Sequence, residues 1–401
     1  MLAVHCTLPL KATEFLYPID HINTPDGTRI CVIHQKDDHL DIWFWNPQTG
    51  EAIKGLLSSY IPAGVTACPS RNAFCFIDND RLYVKSIIKK SPYAIDFMGP
   101  YELSKISWID DESFYFSAKE RTHYNLFYGT VSGSLYRLTY SKEFDYLYPQ
   151  KQDHTLFFIR RDAAHRHMIY SSDYPQNAIE ECETCWQQEC SFSEKLSLIE
   201  QEMVPNSSHK TCSLINEKTF QEIYRHDNPE RALSFLHMLS TEEGFFIEHP
   251  SFINKKDLLV DFAYYQLSKR EEIWTARLLF RFFIPTIFLF SHLDSTRLYE
   301  SMYPLLPRIA QETIYFVSGA DTLNVFAYER AIGTITQITH NASNRSYFAP
   351  YYYNNMLICG GALARLPHEE KNEKQSNSDY SISIEMDSDG YHTLNLPIFI
   401  H

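Results

Sequence analysis

Glycine is sparse in this chain, 13 of 401 residues, and neither a Walker loop nor a G-x-G-x-x-G run is present. The backbone cradles that hold nucleotide phosphates are thereby excluded. There is no G-x-S-x-G elbow and no H-E-x-x-H helix, which removes the common hydrolase and zincin signatures. Long apolar runs are missing too. The most apolar window, residues 282–290, contains Pro285 and follows Arg281; it falls well short of the roughly 20 residues that a bilayer-crossing helix needs. Basic residues are outnumbered 36 to 50, for a formal net charge of -14 and a pI near 5.6. A phosphate backbone or an anionic membrane is repelled on average, so neither nucleic acid nor membrane is expected as a partner. The first ten residues have no basic n-region; no secretory signal is read there, and a cytoplasmic location is expected. The nine cysteines are odd in number and scattered, which argues against a disulfide framework and for reduced, mostly buried thiols.

What the chain has in quantity is rings. With 27 Tyr, 27 Phe and aromatics at 15%, its composition suits strands with side chains packed between sheets. Residues 24–56 show the unit. Thr24-Pro25-Asp26-Gly27 is a tight turn, Ile30-Cys31-Val32-Ile33 a strand and Leu40-Asp41-Ile42-Trp43-Phe44-Trp45 a second; Asn46-Pro47-Gln48-Thr49-Gly50 is another turn, and a third strand begins at Glu51. Pro and Gly supply the turn dihedrals, and β-branched and aromatic residues fill the pleats. Pro25-Asp26-Gly27, the Ile-Trp strand and Thr49-Gly50-Glu51 resemble the PD40 repeat of the TolB-like β-propellers. That resemblance implies an all-β fold, a β-propeller of four-stranded antiparallel blades. It leaves function open, because such propellers serve as binding scaffolds, lyases and peptidase caps alike.

Related units follow along the chain. Gly133-Ser134-Leu135-Tyr136-Arg137-Leu138-Thr139 recurs 200 residues later as Gly333-Thr334-Ile335-Thr336-Gln337-Ile338-Thr339, a match in order and type that marks a true repeat. Turns near residues 50, 91, 133, 175, 218, 269, 333 and 390 give eight candidate blades, or seven if the weak fifth unit (196–199 and 211–215) is set aside. One propeller domain over residues 1–401 is expected, with irregular insertions near 180–195, 280–307 and 367–379. An N-terminal strand within residues 1–17 should pair with the last blade, since open edges invite aggregation.

Candidates for chemistry are few. Cys182, Cys185, His209 and Cys212 are spaced in short pairs, a pattern that closes a tetrahedral and structural zinc site. The segment between the pairs is strand-like and TolB-like propellers require no metal, so unliganded thiols and no cofactor are expected. His165-x-His167 lies among Arg160, Arg161, Asp162 and Arg166 and is read as a solvated basic hairpin tip, because no further ligands can be assigned. The oligogalacturonate lyases, which resemble this chain in their repeats, are metal enzymes that use histidines. The acidic pairs Asp110-Asp111, Glu242-Glu243 and Glu369-Glu370 read as solvated turns, since adjacent residues on an extended chain point to opposite faces. No catalytic residue is assigned. No α/β-hydrolase domain of the kind that prolyl oligopeptidases carry is expected after the last unit.

The longest departure from the repeat, residues 280–307, couples the apolar run 282–290 to a polar, amphipathic piece, 293–303. It is expected to be a partner-binding face carrying Arg297 and Tyr299; the opposing reading makes 282–290 an ordinary buried strand. The function expected is a non-catalytic cytoplasmic scaffold that binds a protein or peptide at its loop face or central funnel. The alternative is a funnel-site enzyme, a metal-assisted lyase or hydrolase. Convergent His, Asp and Glu would favour the enzyme; Tyr, Phe and backbone would favour the scaffold.

Overall fold

The computed structural model describes residues 12–24, 27–36, 39–58, 63–78, 81–86, 93–95, 102–103, 106–120, 122–131, 135–139, 141, 143–173, 220–254, 256–290, 303–340, 345–364, 383–386, 392–395 and 398–400. They form successive antiparallel hairpins, because each short turn returns the chain along the strand just made. The first sheet opens with β1 (Ala12–Thr24), β2 (Gly27–Lys36), β3 (His39–Trp45) and β4 (Glu51–Ser58). The second is β5 (Ala63–Ala67), β6 (Ala73–Asp78), β7 (Arg81–Ser86) and β8 (Tyr93–Ile95). In the third, β9 (Glu102–Leu103) flanks β10 (Ser107–Trp108), β11 (Ser113–Glu120), β12 (His123–Thr130) and β13 (Leu135–Arg137). The fourth is β14 (Asp145–Gln152), β15 (Thr155–Arg161), β16 (His167–Asp173) and β17 (Gln221–His226). The fifth is β18 (Arg231–Met238), β19 (Glu243–Pro250), β20 (Leu259–Arg270) and β21 (Ile273–Pro285), followed by the helix α1 (Thr286–Phe290). The sixth is β22 (Arg308–Ala310), β23 (Thr313–Ser318), β24 (Asn324–Glu329) and β25 (Thr334–Gln337). Last come β26 (Arg345–Tyr353), β27 (Met356–Ala364), β28 (Ser383–Met386), β29 (His392–Asn395) and β30 (Ile398–Ile400).

These last strands do not make a separate sheet. They join the first one in the order β26-β27-β1-β2-β3-β4-β29-β28, with β30 also on β27. Leu16 faces Gly361 and Phe15 faces Ala362, while β30 pairs farther along the same strand, Ile398 with Ile358. The pairing expected between an N-terminal strand and the last repeat is therefore present. Gly360 permits it: a Cβ there would lie 2.8 Å from the Leu16 carbonyl oxygen and from Tyr17 Cα, an approach that only glycine allows.

Among the described residues there are six sheets, not seven or eight. The first and last repeats share one sheet through β1. Where the turn near 218 was expected to open a new blade, the described strand that follows, β17, is the fourth strand of the fourth sheet. The fifth unit, the insertions near 180–195 and 367–379, and the turn residues at 175 and 218 lie outside the described residues.

The chain packs as two compact units: Met1–Ala67, Ile253–Phe262 and Arg281–His401 in the first; Cys68–Phe252 and Ala263–Phe280 in the second. In the first, Leu16, Ile30, Val32, Trp43, Trp45 and Ile358 form a core across the β1 seam. In the second, Tyr115, Tyr128, Tyr146, Phe158 and Tyr170 pack between the third and fourth sheets, and Leu147, Phe157, Ile169, Leu236 and Phe246 between the fourth and fifth. Each ring or branched side chain so buried contributes about 1.5–3 kcal/mol of hydrophobic stabilisation.

The 200-residue repeat is reproduced in its hydrogen bonds. In the third sheet Leu126 N donates to Thr139 Oγ1 at 2.9 Å, Thr139 Oγ1 donates to Asn125 Oδ1 at 3.3 Å, and Arg137 Nε donates to the Thr139 carbonyl at 2.9 Å. In the sixth sheet Val325 N donates to Thr339 Oγ1 at 2.9 Å, that hydroxyl donates to Asn324 Oδ1 at 3.0 Å, and Gln337 Nε2 donates to the Thr339 carbonyl at 2.8 Å. Both threonines are buried. Each supplies the acceptor that the last hairpin's backbone N–H would otherwise lack, and so ends the outer strand without leaving a buried donor unpaired.

Candidate functional site

Buried charge converges at one place in the second unit. Asp145 begins β14, Arg161 ends β15, His167 begins β16, His226 ends β17 and Arg231 begins β18, with Glu248 and His249 near the end of β19 and His123 at the start of β12. Antiparallel pairing sets the start of one strand beside the end of the next. The register makes Asp145 face Arg161, Arg161 face His167, and His167 face His226.

The two carboxylates are each held by a guanidinium. Arg161 Nε donates to Asp145 Oδ2 at 2.9 Å, and the other oxygen of Asp145 accepts Tyr124 N at 2.9 Å and lies 3.3 Å from His123 Nδ1. Arg231 Nε donates to Glu248 Oε1 at 2.8 Å, with His226 Nδ1 3.8 Å from the second oxygen. Such charge-assisted bonds are what makes burial of these groups tolerable. His167 is buried and bonded to the Arg231 backbone, and its Nδ1 has no hydrogen-bond partner among the described residues. Burial, reinforced by the charge of Arg161 and by His249 and His226, lowers its pKa to about 3. His249, whose Nδ1 lies 2.8 Å from the Pro250 carbonyl oxygen, is lowered to about 4, again chiefly by burial. Both imidazoles are therefore neutral at pH 7. His123 is the more open ring, with 28% of its side chain exposed, and the His123–Asp145 pair is the part of the cluster able to present an oriented imidazole to solvent.

A smaller polar group lies in the first unit, on β1 and β26. The Tyr351 hydroxyl bonds to His21 Nδ1 and reaches Asp20 Oδ1 at 3.4 Å, and Asp20 Oδ2 accepts the Ala67 N–H at 3.1 Å. This carboxylate ties backbone to side chains and is itself a bridge.

Of the residues singled out from sequence, Cys182, Cys185, His209, Cys212, Arg297 and Tyr299 lie outside the described residues. His165 is exposed at a turn with φ of 60°. His167, expected in the same solvated tip, is instead buried at 2% exposure, because it starts a central strand between Arg161 and His226. The tip belongs to Asp162, whose Oδ1 accepts Ala164 N and Arg166 N. Asp110 plays the same capping role at its turn, accepting Glu112 N and Ser113 N. The apolar run 282–290 is core where it is described. Phe282, Ile284 and Leu289 are fully buried while Phe283 between them is 41% exposed, the alternation of a strand running into a helix. The described cysteines, Cys31, Cys68, Cys75 and Cys359, are buried; burial pushes the Cys31 and Cys359 thiols well up.

No protein-family model matches the chain, and no curated protein matches it. Solved structures do. Oligogalacturonate lyase in complex with manganese is similar at a TM-score of 0.52 and 10% identity, over 89% of this chain and 92% of the lyase. The prolyl endopeptidases are similar at 0.51 and 6% identity, over 87% of this chain and 45% of theirs. TolB from Acinetobacter baumannii is similar at 0.45 and 9% identity, over 83% of this chain, which spans 65% of that protein. The fold is a β-propeller. Its blades are four-stranded and antiparallel, as the PD40 resemblance implied.

The manganese belongs to that lyase. Here, among the described residues, no three His, Cys, Asp or Glu side chains are grouped to hold a metal ion, and the carboxylates nearest the histidines are turned to Arg161 and Arg231. No helix among the described residues is long and apolar enough to cross a membrane.

Proposed function

We propose that this propeller is a non-catalytic scaffold that holds a protein or peptide partner, working in the cytoplasm. The blade count that goes with this reading is seven, with the seam sheet taken as the first and last blades. The observation that carries it is the internal matching of the buried cluster: Asp145 on Arg161 and Glu248 on Arg231, with neutral imidazoles between. Charges so matched stiffen the ends of three sheets, and each carboxylate is taken up by a guanidinium. Arg297 and Tyr299 remain proposed contacts. The scaffold reading is tested by quantitative cross-linking of the full chain in its host. A stoichiometric protein partner is expected, retained when Arg161 and Asp145 are exchanged together for Met and Leu in a folded variant.

The second reading, a funnel-site enzyme, rests on the His123–Asp145 pair. Polyuronate and peptide substrates, offered with and without divalent manganese, are expected to give no turnover. Turnover abolished by His123→Ala would replace the scaffold with the enzyme.

A further inference from the structure

The outer strands of the sheets are unequal. β8 and β13 have 3 residues, β25 has 4 and β17 has 6, whereas β21 has 13. Short outer strands are a standard protection, because an edge strand presents unpaired backbone groups to any other chain. β21 ends its sheet, in the order β18-β19-β20-β21. Its inward residues Trp274 and Ala276 pack on the core of the second unit. Its outward ones are open: Ile273 is 67% exposed, and Thr275 and Arg277 are exposed as well, while Leu278, in phase with Trp274 and Ala276, is 42% exposed. Near its far end, Phe283 is already engaged, donating its N–H to Ser318 Oγ and accepting the Gly319 N–H at 3.0 Å. That leaves residues 273–279, Ile-Trp-Thr-Ala-Arg-Leu-Leu, as the usable stretch. It is rich in strand formers and has no proline or lysine to blunt it.

We infer that residues 273–279 of β21 receive an extended, acidic segment of the protein partner as an added strand. The inference rests on the scaffold reading above and names its docking edge and the partner's chemistry. Main-chain hydrogen bonds would supply affinity and alternate side chains specificity, as in other strand additions. Charge sets the occupant. β21 holds two arginines and no acid in a chain of net charge -14. Arg281 is paired with Asp261 at 2.6 Å, whereas Arg277 donates to the neutral amide of Gln266 at 3.0 Å, itself held by Glu243. Glutamate or aspartate on an added strand would therefore meet a cation that, among the described residues, is not matched by a carboxylate of its own. A second copy of this chain fits worse. Within residues 273–279, antiparallel self-pairing centred on Ala276 sets Arg277 opposite Thr275 and offers it no carboxylate.

The test uses the full chain and three labelled ten-residue peptides read by fluorescence anisotropy. One alternates valine with glutamate, one alternates valine with lysine, and one is the glutamate peptide with two central prolines. The glutamate peptide should bind saturably, about tenfold or more tighter than the other two, and Arg277→Glu should reverse the preference between glutamate and lysine at an unchanged melting temperature. Equal binding of the glutamate and lysine peptides, no saturation up to about 1 mM, or an affinity untouched by Arg277→Glu would overturn the proposal. So would a concentration-dependent dimer that Arg277→Glu abolishes, since the edge would then belong to a second copy. If the host partner cross-links equally to wild type and Arg277→Glu, the edge proposal falls and the scaffold stands. If no host partner is found at all, the scaffold reading falls with it.

Discussion

The strands β1 and β21 are each 13 residues long, but β1 has a strand on either side and β21 lies at the end of its sheet. Leu16, Tyr17, Ile19 and Ile22 of β1 are buried, whereas Ile273, Leu278 and Phe283 of β21 are exposed. Length in β1 is spent on joining the first repeat to the last. Length in β21 has no such use within the described residues, and elsewhere the fold prevents it: in the third and sixth sheets a buried threonine ends the outer strand after a few residues. A strand this long on an edge therefore calls for a function, whereas the same length at the seam is accounted for by packing.

The comparison breaks most sharply at Gly360. Gly360→Ala would place a methyl group against the backbone of Leu16 and Tyr17, and overpacking against backbone costs about 3 kcal/mol. A large fall in melting temperature is expected, with a smaller one for a substitution such as Thr275→Ser on β21. The threonine locks come next. Thr139→Val and Thr339→Val each leave a buried backbone N–H, of Leu126 and of Val325, without its acceptor, a loss of about 1–3 kcal/mol. Denaturant unfolding should show similar costs for the two, because the two sites are alike. Very unequal costs would mean that the repeat is one of sequence only.

Acid sharpens the account of the second unit. His167 and His249 have their folded pKa lowered to about 3 and about 4 from the ordinary 6.5, so the unfolded chain takes up protons first. Their contribution to stability is whole above about pH 6.5 and is lost progressively as the pH falls toward 4 and then 3. The melting temperature should drop between pH 7 and 5, and the drop should shrink in a His167→Gln, His249→Gln variant. The smallest effect concerns metal. Protein purified without chelator is expected to carry no stoichiometric zinc; about one zinc per chain, lost with Cys185→Ser, would establish the cysteine-histidine site.

Much of this was legible in the sequence, and the reasons for the remainder are specific. The recurrence of Leu-Thr at 138–139 and Ile-Thr at 338–339 could be seen because the lock needs a hydroxyl at one fixed place after the turn. The β1–β27 pairing could be argued from the need to cover an edge. The fourth sheet was split in two because its third and fourth strands, β16 and β17, are separated by residues 174–220, far beyond the usual hairpin length. The buried cluster was missed because its members are scattered from His123 to His249. Their shared signal is positional: a charged or imidazole side chain at the start of β14, β16 and β18 and at or near the end of β15, β17 and β19. Antiparallel pairing brings such positions together, so tabulating strand ends would have found them. The run 282–290 looked like an interface because its apolar content exceeds that of one strand face; it is a strand end followed by a buried helical turn.

The open edge of β21 is tested most directly by amide hydrogen exchange in the free protein. A strand paired on one side has only alternate N–H groups in hydrogen bonds, so amides within residues 273–279 should alternate between slow and fast exchange. The amides of Leu126 and Val325, held by Thr139 and Thr339, should be uniformly slow. Fast exchange at every second position of 273–279 is the predicted result; uniform protection along that stretch would show the edge already covered and contradict the account.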